Sequence, residues 1–206
     1  MDSRLIQVVA AVMAVTNAIL WILSTRWERP GSDVELSTRL HPPFLIRLGG
    51  DMAQVVPLAY PVLVVVTPDW AYEGSWNWTT GIDPVLQVGG MLLWGLALVL
   101  ALWASSAIRG YLAVEGMAVD HQLVIHGPYR YVRHPVYTAL ISIALGTSLV
   151  FRSYLLLGVA AVSIASHVWW AAAEEQLLRS ESGLGDAYIA YASRTGRFLP
   201  KVRCGR

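Results

Sequence analysis

Charge is what this sequence has least of: 14% of its 206 residues are Asp, Glu, Lys or Arg, where a soluble domain carries about 25%. So few charges cannot cover a water-facing surface. With 55% apolar residues, the solvent over much of the molecule must be lipid. The formal net charge is +1 and no basic stripe stands out, which argues against a nucleic-acid partner. Cys204 is the single cysteine, so no intramolecular disulfide can form. Only Gly205 and Arg206 follow it, which excludes a terminal prenylation box. No Gly/Ser linker, low-complexity tract or repeat divides the chain, so one domain over residues 1–206 is the expectation.

What is present is apolar sequence in long runs. A membrane helix needs about 20 predominantly apolar residues, and 5–23, 85–108 and 154–173 meet that length. The uncharged run 5–25 is longer than a signal-peptide core and no A-x-A-type cleavage site follows it, so it is expected as a retained helix. Residues 136–151 are shorter but uninterrupted, and Arg152-Ser153 alone separates them from the next run, which predicts a tight helical hairpin. The fifth candidate, 52–67, carries Pro57 and Pro61. Each removes a backbone donor, so this helix is expected inside the bundle, where neighbours can compensate. The sequence therefore predicts an all-α integral membrane bundle of about five transmembrane helices. Arg26, Arg29, Arg39 and Arg47 fill one connection, Arg109, Arg130 and Arg133 another, and the tail is also basic, whereas 68–84 holds no Lys or Arg. By the positive-inside rule the N-terminus lies outside and the tail is cytoplasmic, with Arg152 as the one exception.

Two polar segments stand apart from these runs. In 121–137, Gly127-Pro128 marks a turn, and His134 precedes Pro135, which biases it away from the α region while Pro135 suits a first helical turn. Arg133, His134 and the preceding backbone are thus presented at a helix N-terminus, an end suited to a carboxylate or ribose oxygen. The bland alternative is a basic loop that anchors to lipid headgroups. The second segment is Glu174-Glu175 at the cytoplasmic end of the last run. Carboxylates are costly there, so either the helix continues past them or they hold a cation. Glu175 and Arg179 are spaced as a surface i,i+4 pair. Glu174 shares a helical face with His167, with Trp170 between. His121, His126 and His134 fit no common zinc spacing, and no metal is expected.

His-x-Leu-Val from His121, then Gly-Pro-Tyr-Arg, Arg-His-Pro-x-Tyr, Glu-Glu, Gly-x-x-Tyr-x-x-Tyr and Arg-Phe-Leu-Pro occur in that order. This series resembles the isoprenylcysteine carboxyl methyltransferase and phospholipid methyltransferase superfamily over about residues 85–200, with 1–80 as variable N-terminal helices. The resemblance implies a cytoplasmic cofactor-binding C-terminal part and S-adenosylmethionine as cofactor. Its contacts would come from His121, Gln122, Leu123, Val124, Tyr129, His134, Pro135, Val136, Tyr137 and Glu174. Tyr129 and Tyr137 offer aromatic faces to a sulfonium, Glu174 an acceptor for hydroxyls or ammonium, and Arg133 a partner for a carboxylate. His167 and Trp170, deeper along the last helix, are expected to meet a lipophilic acceptor arriving from the bilayer. The chain departs from the family pattern at Ala139, where Gly is common, and in the Ser-Gly-Leu-Gly before Tyr188. It departs again at Trp170, where carboxyl methyltransferases place an Arg. The acceptor therefore stays open between a prenylcysteine-like carboxylate, a lipid amine and a thiol. Two rival readings are an NADPH-dependent reductase of the sterol-reductase type and a non-catalytic membrane scaffold that binds no cofactor.

Overall fold

A computed structural model describes residues 1–27, 36–108, 116–118, 123–180 and 183–201. Seven α-helices form among them: α1 (Ser3–Trp27), α2 (Phe44–Val66), α3 (Pro68–Ala71), α4 (Asp83–Ala107), α5 (Pro135–Phe151), α6 (Tyr154–Arg179) and α7 (Gly185–Arg194). Helices α1, α2, α4 and α6 are each long and apolar enough to cross a membrane. Helix α5 is apolar but has 17 residues, about 26 Å at 1.5 Å per residue, short of the ~30 Å hydrocarbon core. The expected five spans thus resolve into four of full length and one short helix. One non-helical element joins them, an antiparallel ribbon of β1 (Leu36–Arg39) and β2 (Gly116–Ala118) in the register Leu36 to Ala118, Thr38 to Met117 and Arg39 to Gly116. It ties the α1–α2 connection to the α4–α5 connection.

Helix α2 starts earlier than its hydropathy suggested, because Arg47 and Asp51 read as loop charges yet sit in its first turns. Ile46 and Arg47 both donate their N–H to the carbonyl of Pro43, which opens the helix. Pro57 and Pro61 are buried within it, between α1 and α6, as expected of a helix with missing donors. Asn17 of α1 donates its amide to the carbonyl of Leu58 at 3.3 Å, between the two prolines. Further along, Gly49 lets α2 close on Ser166 and Val162 of α6.

The most extensive helix pair is α4 with α5, and glycine permits it. A Cβ on Gly146 would stand 2.8 Å from the Gly90 carbonyl oxygen and 2.9 Å from the Trp94 amide nitrogen. In lipid, close backbone approach through small residues is a main source of helix association. Gly146→Ala should therefore lower the unfolding temperature in detergent. Gly158→Ala, where nothing lies within 4 Å, should hold or raise it, since Ala is favoured over Gly in a helix by about 1 kcal/mol. Equal shifts in the two variants would contradict this packing account.

The end of the bundle that holds the 68–84 connection is closed by polar contacts. Gln87 donates to the Tyr72 hydroxyl at 2.8 Å and to the Val150 carbonyl at 2.9 Å. Arg152, in the left-handed turn of the α5–α6 hairpin, pairs with Asp83 at 3.0 Å and stands 4.6 Å over the Tyr72 ring. The one basic residue that breaks the charge pattern is thus neutralised locally. The Tyr72, Val150 and Phe151 side of the core packs beneath it with Ile6, Met13, Tyr60 and Leu156.

Candidate functional site

At the opposite end, the chain after α4 turns into a short 3-10 helix, Gly127–Arg130. Gly127 has φ +59°, and a Cβ there would lie 3.0 Å from the Ala107 Cβ and 3.4 Å from the Trp103 Nε1. Both the backbone sign and the fit against α4 call for glycine. Pro128 and Tyr129 are buried behind it, and the Tyr191 hydroxyl of α7 donates to the Tyr129 carbonyl at 2.6 Å. His134 then occupies the non-helical start of α5, at φ −122° and ψ 61°, with Pro135 at the first helical position, as the His-Pro pair predicts.

The segment after α7 lies alongside this entry. Arg133 donates its N–H to the Gly196 carbonyl at 2.9 Å, and His134 donates to the Arg197 carbonyl at 3.1 Å. The turn that allows this needs Gly196, since a Cβ there would fall 1.7 Å from the Leu199 carbonyl oxygen. The Thr138 hydroxyl lies 3.0 Å from each of the His134 and Phe198 carbonyl oxygens, which fastens the two strands of chain at the first turn of α5. This role of the Arg-Phe-Leu-Pro motif left no mark in hydropathy; only the family resemblance singled those residues out.

Helix α6 continues past both carboxylates to Arg179, and the two differ sharply. Glu175 is 2% exposed and faces three guanidinium groups and the His134 ring. Arg133 Nε and Arg197 Nε each donate to Oε1 at 3.0 Å, and Arg197 Nη2 and Arg179 Nη2 reach Oε2 at 2.8 and 3.2 Å. His134 Nε2 stands 3.3 Å from Oε1. Glu174 is 30% exposed. It accepts a short hydrogen bond from the Tyr137 hydroxyl and stands 3.4 Å from His134 Nδ1.

Aromatic rings line the same place. The Tyr137 ring stacks on His134, 5.5 Å away and 3° from parallel, and meets the His167 ring at 5.1 Å and 56°. His167 is buried, with Nδ1 2.7 Å from the Ser163 carbonyl oxygen, so the proton sits on Nδ1 and is donated there. Trp170 is partly buried, edge-on to Trp169 at 5.5 Å, with Gly50 of α2 opposite its indole nitrogen. Burial, helped by the negative charge of Glu174, pushes the Tyr129 hydroxyl well above its ordinary range, so it stays protonated.

Of the residues singled out in the sequence, Tyr129, His134, Tyr137, His167 and Glu174 are linked through contacts or charge around one carboxylate. Leu123, Val124 and Val136 are half-buried and Pro135 is buried. His121 and Gln122 lie outside the described residues. Arg133 is held within the fold: Nε is bonded to Glu175 and Nη1 donates to the carbonyls of Ala192 and Thr195.

Residues 85–181 match the family model for phospholipid methyltransferase. No curated protein matches the chain. The matched stretch runs from α4 to the end of α6 and contains Tyr129, His134, Tyr137, His167 and Glu174, while Arg197 and Phe198 lie beyond it. The part of the chain that carries this site, residues 85–181, is thus similar to the phospholipid methyltransferase family.

Proposed function

We propose that the protein transfers a methyl group from S-adenosylmethionine to a lipophilic or membrane-associated acceptor. The observation that carries this reading is that one methyltransferase-family match spans every residue converging on Glu174. The donor set fits the cofactor: a half-exposed carboxylate suits an ammonium or ribose hydroxyls, and Tyr129 and Tyr137 suit a cation. Bound there, the cofactor supplies an electrophilic methyl group on a sulfonium. Glu174 would hold its polar part, Tyr129 and Tyr137 would offer aromatic surface to its cation, and the segment from Leu123 to Tyr137 would set its alignment. In-line transfer depends mainly on such alignment and on excluding water. His167 and Trp170 lie deeper on α6 and meet the acceptor, which enters from the bilayer. Trp170 offers it aromatic surface rather than charge.

The test is methylation of a membrane lipid extract by the purified protein with methyl-labelled S-adenosylmethionine. The expected result is label in an organic-soluble product whose identification names the acceptor. Absence of transfer to lipid or prenylcysteine-type acceptors would contradict the proposal.

In this reading the site faces the cytoplasm and the N-terminus faces outward, because the basic connections gather at the site's end of the bundle. Arg152, paired to Asp83, does not oppose that orientation. Ser75, exposed at the other end, should react as Ser75→Cys with an impermeant thiol reagent in intact cells. Native Cys204 should not. The reverse labelling would invert the topology.

A further inference from the structure

We infer that His134 is a positioning residue: a doubly protonated imidazolium strut that holds Glu174 in its binding orientation and does not itself touch cofactor or acceptor. The inference rests on the proposed role of Glu174 as the cofactor's anchor. Its basis is the commitment of both ring nitrogens, Nδ1 to Glu174 Oε2 at 3.4 Å and Nε2 to Glu175 Oε1 at 3.3 Å. A neutral imidazole has one N–H donor and one lone pair. A lone pair pointed at a carboxylate is repulsive, so only the doubly protonated ring satisfies both contacts.

The ring cannot turn to escape this arrangement. It is buried, stacked on Tyr137 and packed 6.0 Å from Phe198. Its backbone is fixed by the Arg197 carbonyl and the Thr138 hydroxyl. The charged groups around it come from every neighbouring element. Helix α6 brings Glu174, Glu175 and, beyond Glu175, Arg179. Arg133 precedes His134, Tyr137 follows it on α5, α7 brings the buried Tyr188, and the segment after α7 brings Arg197. The three guanidinium groups all bond to Glu175, and among the described residues Glu174 is left with His134 and Tyr137. Oε1 is held by the Tyr137 hydroxyl and Oε2 by the imidazolium, so the carboxylate plane is fixed while its open side stays exposed.

Burial opposes the charge on His134, but its bonds to Glu174 and Glu175 and their negative charges outweigh it and raise its pKa above the usual 6.5. A raised folded-state pKa contributes stability that is fully present below the unfolded value. That stability is lost as pH rises through the folded value. The strut is therefore complete below about pH 6.5 and released at more alkaline pH.

Two measurements on wild type and His134→Gln test this. Glutamine keeps a donor and an acceptor but cannot carry the charge. For S-adenosylhomocysteine at about pH 6, the variant should bind roughly tenfold more weakly, the lower end expected for a lost charged hydrogen bond. The two proteins should converge as pH rises and the wild type loses affinity. Equal binding at low pH, or the same pH profile in both, would overturn the strut. The second measurement needs no cofactor: the unfolding temperature of wild type should fall from about pH 6.5 upward. The fall should be absent or shallower in His134→Gln. Parallel falls would again overturn the inference. If wild type binds no adenosyl compound at any pH, the methyltransferase reading fails, and the cofactor-free titration still decides the imidazolium strut.

Discussion

Glu174→Gln should weaken binding of S-adenosylhomocysteine by about ten- to a hundredfold, with turnover falling at least as far. The substitution keeps size and shape but removes the charge from the partly exposed carboxylate on which Tyr137 and His134 converge. A hydrogen bond to a charged group is worth roughly 1.5–3 kcal/mol, which gives that range at about 1.4 kcal/mol per tenfold. The partial exposure of Glu174 draws the expectation toward its lower end. Glutamine also turns an amide N–H₂ toward either His134 or the Tyr137 hydroxyl, disturbing the orientation of the remaining acceptor. Trp170→Ala is the contrasting variant. It removes aromatic surface deeper on α6, beside Trp169 and Gly50, and should leave cofactor affinity nearly intact while methyl transfer falls. Isothermal titration and turnover on both proteins separate the cases. Equal loss of cofactor affinity would remove the division between a cofactor side and an acceptor side.

Glu175→Ala should destabilise the protein more than any other single change at this end, by about 3–5 kcal/mol, as expected when one partner of a buried ion pair is deleted. The cost comes mainly from Arg133, whose side chain is 11% exposed and would keep its charge without a carboxylate, whereas His134, at 6%, would keep Glu174 as a partner. Arg197 and Arg179, at 38% and 50%, can turn to water and contribute less. Arg179→Ala supplies the scale, because a half-exposed i,i+4 pair is worth about 0.3–0.5 kcal/mol. The ratio of the two losses in unfolding temperature distinguishes a buried organising carboxylate from a surface ion pair. Comparable small losses would mean that Glu175 does not hold the Arg133 and Arg197 segments together.

The spans were readable because lipid imposes a simple demand: long apolar runs with basic connections gathered at one end. That logic located α1, α4, α6 and the α5–α6 hairpin, and it placed the two prolines of α2 inside the bundle. It misjudged the start of α2, where Arg47 and Asp51 interrupt the apolar pattern although the backbone is helical. The His-Pro start of α5 followed from backbone sterics alone, and the structure has it there.

The organisation of the site was less legible because it is built from distant contacts. Periodicity exposes only the Glu175–Arg179 pair, four residues apart. The partners that bury Glu175 stand 42, 41 and 22 residues away, at Arg133, His134 and Arg197. No local pattern reports which of two adjacent carboxylates turns inward. The same distance effect hides the partners of Arg133, whose place beside His134 suggests a ligand and whose guanidinium is held by Glu175 and the end of α7. Of the two acidic residues, Glu174 keeps the open face, which is why it is the one proposed as the cofactor's anchor.

The most direct test is the unfolding temperature of the purified protein with S-adenosylhomocysteine and, separately, with NADPH. A ligand present at a hundred times its dissociation constant stabilises the folded state by about 2.7 kcal/mol, enough to shift the transition measurably. With micromolar affinity, about −8 kcal/mol, the adenosyl compound should raise the unfolding temperature of wild type and do so far less in Glu174→Gln, while NADPH leaves both unchanged. Stabilisation by NADPH with no response to the adenosyl compound would contradict the methyltransferase account.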